Sequence, residues 1–323
     1  MEACNSHTIS QMNILSNNIY DYYLANFKDL SFDKQFHFAS RLYLWDQDVE
    51  AAALLKQLRA KFTADDNPKL ALKSVYEAAL GSPVHGSKNA SELRKPYFEK
   101  YPVLKTYVTL LFRCIFLQTI YGLDAREEFL KLCPREDVEN LVKKLLEDSE
   151  AVAILSTHAI NFFYLYGRLF KTEQDLFTPE TFLVIGKKHY NLADPIHLQL
   201  LIYLYTHCII GESMFYYRAI PAEHIHTYHS MLEELETIID ARFADINLDN
   251  KHEFLVCAKL VGFTSHLGDR IDKEALRSLS DDGHFIIDTH NNNGQIENIT
   301  FDKSEHRNTL CIIAHRTFTP IAE

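Results

Sequence analysis

Three histidines recur in helical runs at spacings that are multiples of about forty-nine residues: His158 in Leu155-Ser156-Thr157-His158-Ala159-Ile160, His207 in Leu204-Tyr205-Thr206-His207-Cys208-Ile209, and His306 in Glu305-His306-Arg307-Asn308-Thr309-Leu310. The skipped period lands at Val256-Cys257, and the one before His158 lands at Thr109. A recurrence of roughly fifty residues is the length of a helix hairpin. One hairpin cannot bury its own apolar face, so such units stack on copies of themselves.

Composition agrees with an all-α chain. Ten glycines and nine prolines in 323 residues, with few alternating Val/Thr/Ile stretches, leave little from which to build a sandwich or a doubly wound sheet. A net charge of −11 with no dense Lys/Arg stripe excludes nucleic acid and anionic membrane as expected partners, because a polyanion needs a basic surface. Six cysteines without Cys-x-x-Cys spacing, most of them inside apolar runs, read as reduced core thiols of a cytoplasmic protein. Met1 to Tyr23 has no basic segment followed by an apolar one, so no signal peptide is expected. The longest apolar runs, Ile154 to Tyr166 and Leu198 to Ile210, are interrupted and fall short of the ~20 residues of a membrane span.

Periodicity predicts a single helical domain over 1–323, with N-terminal helices in 1–80, a loop over 81–95 around Gly81-Ser82-Pro83, and a main repeat region in 96–323. Long helices are predicted at 97–122, 148–171 and 195–216, and a last one from Ser304 as its cap to Arg316. Thr178-Pro179 and Asp194-Pro195 mark helix starts. Asp282-Gly283 and Asn293-Gly294 are turns, and at most a small β-hairpin fits near 284–300. Helices such as Tyr107 to Tyr121 and Leu198 to Tyr217 are apolar nearly all round and must be buried; others, such as Met231 to Asp240, are amphipathic. That alternation suits inner and outer layers of a closed ring of about six hairpins.

The paired-helix period, the Ser280-Asp281-Asp282-Gly283-His284-Phe285 turn and the following helix with His306 resemble the α/α-toroid class of terpenoid cyclases, protein prenyltransferase β subunits and lanthipeptide cyclases. The resemblance covers about residues 100 to 320 and implies a bacterial branch of that fold. The chain departs from the class in having no Asp-x-Asp-Asp motif, no repeated Gln-Trp motif and no Cys-His-Gly motif. Asp288-Thr289-His290 followed by His306 has the flavour of the prenyltransferase zinc ligands, at a much shorter separation.

If the period is real, His158, His207 and His306 approach one axial polar-aromatic pocket. Three imidazoles are ligands for zinc or iron, shuttles for protons, or ordinary core histidines bonded to a neighbouring helix. Catalytic roles fall to His207 and His306, with Glu253 as orienter, because a carboxylate at the edge of an apolar run has to meet a base or a cation. Ligand contacts fall to His158, Asn161, Glu212, Tyr217, Arg218, Asp288 and Asn308, where acids, aromatics and amides interrupt buried runs. No metal is assigned and no cofactor is implied: there is no phosphate loop, nucleophile elbow or His-Glu-x-x-His. The expected ligand is a small molecule or peptide; the competing expectation is a non-catalytic helical scaffold that holds a protein partner on a concave face.

Overall fold

A computed structural model describes residues 2–62, 88–170, 177–287 and 300–321, with a few positions between 69 and 77. It is all-helical. Fifteen α-helices are named here: α1 Glu2–Ala25, α2 Phe32–Asp46, α3 Val49–Phe62, α4 Lys88–Lys100, α5 Leu104–Tyr121, α6 Arg126–Leu132, α7 Arg135–Leu146, α8 Ser149–Leu155, α9 Thr157–Phe170, α10 Pro179–His189, α11 Pro195–Glu212, α12 Ile225–Ala241, α13 Leu248–Leu260, α14 Gly268–Arg277 and α15 Phe301–Ala314. Among the described residues the one extended pairing is an antiparallel bridge between Leu279 and Ile286. Most of the hairpin expected at 284–300 lies outside the described residues. No single described helix is long and apolar enough to cross a membrane; only the bent pair of α4 (from Glu92) and α5 passes, on length and composition alone.

The chain divides into two compact units that cut across the expected segments 1–80, 81–95 and 96–323. Unit 1 holds residues 1–55 and 215–323, and unit 2 holds 56–214. In unit 1, α15 packs on α2 and α13, and α1 packs on α14 and α15, so the first helices of the chain pair with the last. In unit 2, α9 packs on α5 and α11, while α8 packs on α4 and α10. Gly211 of α11 makes one of these contacts possible. A Cβ built there would stand 2.5 Å from the Tyr164 ring of α9, inside contact distance, so any side chain would push the helices apart.

Several helix starts follow the sequence signals. Thr178 forms a capping box with Thr181 ahead of Pro179, and the Asp194 side chain accepts from Ile196 N at 2.8 Å ahead of Pro195. Other boundaries differ. Residues 88–95, expected in a loop, belong to α4, whose register carries through Pro96. The expected helix 97–122 is two helices, and α4 from Glu92 meets α5 at 86°. The expected helix 148–171 breaks at Ser156, which has φ 43° and donates Oγ–H to Leu200 O at 2.9 Å. The last helix begins four residues before its predicted start, capped by Thr300 rather than Ser304, and α13 is capped by Asn247. At the unit boundary Met214, Phe215 and Tyr216 have φ of 55°, 58° and 78°, a left-handed turn that ends α11.

Candidate functional site

The predicted residues sort into two places. His158, Asn161, His207 and Glu212 belong to unit 2; Tyr217, Arg218, Glu253, His306 and Asn308 belong to unit 1. Asp288 lies outside the described residues.

In unit 2 the break at Ser156 turns the chain so that α9 starts afresh at Thr157, with His158 in its first turn and Asn161 one turn further on. Asn161 is 4 % exposed and its Oδ1 lies 2.9 Å from His207 Nδ1 of α11. An amide oxygen can only accept, so His207 carries its proton on Nδ1. The Tyr203 ring, one turn back on α11, stands edge-on to His207 at 6.1 Å. His158 lies edge-on to Phe98 of α4 at 5.1 Å. Its Nδ1 is buried and takes no hydrogen bond, although the Leu155 carbonyl lies near the ring. Burial, reinforced by the charges of Arg94 and Lys105, pulls this imidazole down to about 3, so it is neutral at pH 7. Arg94 stands on the same face of α4 as Phe98, four residues earlier, and donates Nε–H to Ile154 O at 3.3 Å. Glu212, expected as a ligand contact, is buried one turn beyond Cys208, whose buried thiol it helps to push up.

Unit 1 is organised differently. Glu305 of α15 is fully buried and ionised: burial alone would raise its carboxyl, but His37, Lys34 and Thr309 outweigh that and hold it at about 2. His37 Nδ1 lies 2.7 Å from Glu305 Oε1, Thr309 donates Oγ–H to the same oxygen at 2.7 Å, and Lys34 Nζ stands 3.3 Å from Oε2. Desolvation brings the His37 imidazole down to about 4 against the pull of Glu305. The neutral ring therefore donates through Nδ1 and accepts at Nε2 from Arg41 Nε at 3.4 Å. Arg41 also lies over the rings of Phe215 and Tyr216, and its charge meets the buried carboxylate of Glu253. Glu253 thus meets an arginine.

His306, whose ring is 5.2 Å from that of His37, faces Asp249 Oδ1 at 3.5 Å, and Arg307 donates to Asp249 Oδ2 at 2.9 Å. Despite burial, His306 and Arg307 hold Asp249 far below the usual carboxylate range. The orienter of His306 is therefore Asp249 and not Glu253. Asn308 spends its amide on backbone: it accepts from Ile286 N at 2.8 Å and donates to Ile286 O and Ser304 O at 3.0 and 2.8 Å. It locks the turn before it and has no amide group to spare for a ligand. Tyr217 accepts at its carbonyl from Ile321 N.

Among the described residues no three His, Cys, Asp or Glu side chains stand where they could hold a metal ion, His158, His207 and His306 included. Sequence reasoning missed Arg94, Lys105 and Tyr203 in unit 2 and His37 and Arg41 in unit 1. Arg94 was hidden because its segment reads as a loop before Pro96; the i,i+4 pairing of Arg94 with Phe98 was the available signal.

No protein-family model, curated protein or solved structure matches this chain.

Proposed function

We propose that the protein binds a small molecule or peptide at the polar-aromatic cluster of unit 2, with His158, Asn161 and His207 as contacts. One observation carries this: His158 keeps a buried ring nitrogen without a hydrogen bond beside a second histidine that Asn161 has already oriented. A fold gains nothing from leaving a buried donor or acceptor unmade, since each costs about 1–3 kcal/mol, whereas a ligand can use it. Binding is favoured over proton transfer at His207 because Asn161 fixes a tautomer without adding the negative charge that would strengthen a base. The scaffold alternative has less support. The large apolar side chains exposed among the described residues are five, Ile14, Val49, Val103, Val184 and Leu192, and no two are close in sequence.

A closed ring of hairpins belongs to the same proposal, supported by the pairing of the first helices with the last inside unit 1. So does a cytoplasmic setting, supported by five buried free cysteines among the described residues. A second reading places acid/base chemistry at His306, because Asp249 faces its Nδ1 while the side chain is 41 % exposed.

The test is a fragment screen read by the histidine ring signals in NMR, with His207→Gln and His306→Gln as controls. The proposal expects bound fragments to move the His158 and His207 signals and to lose their effect in His207→Gln. Fragments that move only His306 would favour the second reading.

A further inference from the structure

We propose that the cluster of Arg94 and His158 in unit 2 is an oxyanion site: its ligand carries a carboxylate or phosphate group that Arg94 receives beside His158. This rests on the reading of that cluster as a ligand site and adds the chemical class.

Arg94 is 8 % exposed, so most of its side chain has left bulk water, and only the tip of the guanidinium reaches solvent. Its one hydrogen bond among the described residues is to a backbone carbonyl, which offers a dipole and no charge. No described carboxylate pairs with it, and its electrostatic neighbours are the hydroxyls of Tyr190 and Tyr203. The charged or protonatable groups that act most strongly on His158 are of the same sign or neutral, namely Arg94, Lys105 and His207. Tyr190 already donates its hydroxyl to Ala153 O at 2.8 Å. A guanidinium cannot shed its proton to escape burial, as a lysine or histidine can. An uncompensated buried cation is costly to any fold.

The rest of the molecule shows how this chain treats arginines, one buried and one half-buried, when the purpose is structural. Arg307 meets Asp249 at 2.9 Å, and Arg316 meets Asp46 and Asp48 at 3.3 and 2.8 Å. Arg94 departs from that habit. Its Nε is held by Ile154 O, which leaves the two terminal nitrogens of the fork for a planar or tetrahedral oxyanion. His158 adds a ring that can donate as well: with an anion beside it, the cost of protonation falls and Nδ1 gains a partner. Affinity should therefore rise as pH falls.

The probes are inorganic phosphate, acetate and neutral glycerol, added to the full chain in an anion-poor zwitterionic buffer. Binding is read by the His158 and His207 ring signals and by the melting temperature. Phosphate or acetate, and not glycerol, should shift both signals saturably and raise the melting temperature, and whichever of the two anions binds more tightly names the group. Arg94→Met should fold, melt no lower than wild type without added anion, and lose about tenfold or more in anion affinity, as expected for a charge-assisted contact of about 1.5–3 kcal/mol. Should that variant fail to fold, Arg94→Lys keeps the charge without the fork and should lose a similar factor. Signals that move with glycerol alone would overturn the oxyanion proposal and leave the ligand-site reading standing. Signals that move with none of the probes would overturn it, and the fragment screen would then decide the ligand-site reading separately. Anion binding undiminished in Arg94→Met or Arg94→Lys would also overturn it.

Discussion

Unit 1 and unit 2 bury polar groups in opposite ways. In unit 1 charges come in sets: Glu305 with Lys34, His37 and Thr309; Asp249 with Arg307 and His306; Arg316 with Asp46 and Asp48. In unit 2 Arg94 is buried without a described counter-charge, and the His158 Nδ1 is buried without a hydrogen bond. Internally paired charges fix which packing a core adopts, and they have little left to offer a visitor. A buried cation left open is where a fold has room for something from outside. The difference explains why the more conspicuous cluster of titratable groups, in unit 1, is the weaker candidate for a binding site.

The largest effect should come from breaking a set in unit 1. Glu305→Ala leaves His37, Lys34 and Thr309 around an empty position and is expected to cost about 3–5 kcal/mol, the range for orphaning a buried ion pair. Trp45, the chain's single tryptophan, is fully buried in unit 1 and reports that unit's unfolding by fluorescence. A loss under 1 kcal/mol in urea would show that the set is not a stabilising one.

Acid should come next. The folded imidazoles of His37 and His252 are held near 4, below the ordinary 6.5, so the unfolded chain takes up protons first as pH falls. Their contribution is whole above pH 6.5 and is lost between about 6.5 and 4. For His252, fully buried, that is on the order of 3 kcal/mol. Glu305, held at about 2, and Asp249, held lower still, contribute above about pH 4.5 and are lost as pH falls through that range towards 2. Trp45-detected stability should thus decline in two stages. A flat profile from pH 7 to 5 would contradict the buried neutral imidazoles.

A smaller change is expected where unit 1 departs from its own pattern. Neither ring nitrogen of His252 makes a hydrogen bond, and the nearby pair of His315 and Asp272, 3.1 Å apart, is not aligned for one. His252→Leu should therefore raise stability at pH 7 by about 1 kcal/mol and flatten the first acid stage. Destabilisation by that substitution would mean that the imidazole has a structural partner.

The helical class, the buried character of α5, α9 and α11, and the caps at Thr178 and Asp194 were legible because they depend on short-range pattern: periodicity of 3.6 and side chains that reach their own backbone. The site was legible only in part. Asn161 and His207 meet because α9 packs on α11 with only α10 between them in the chain, a separation close to the hairpin period. His37 with Glu305 joins residues 268 positions apart, and no local pattern announces such a pair. Arg94 was lost to Pro96, which reads as a helix breaker although α4 continues through it. Glu212 and Tyr217 are both expected as ligand contacts because they share a run, but the left-handed turn at Met214 to Tyr216 separates them into different units.

The central contrast is tested most directly by neutralising one arginine of each kind and comparing the two variants in the same anion-poor buffer. Arg307→Met strips Asp249 of its main cation and should lower Trp45-detected stability by about 3–5 kcal/mol, while Arg94→Met, followed by far-UV circular dichroism, should leave stability unchanged or raise it. Equal and large losses in both would contradict the account, because Arg94 would then be serving the fold in the same way as Arg307.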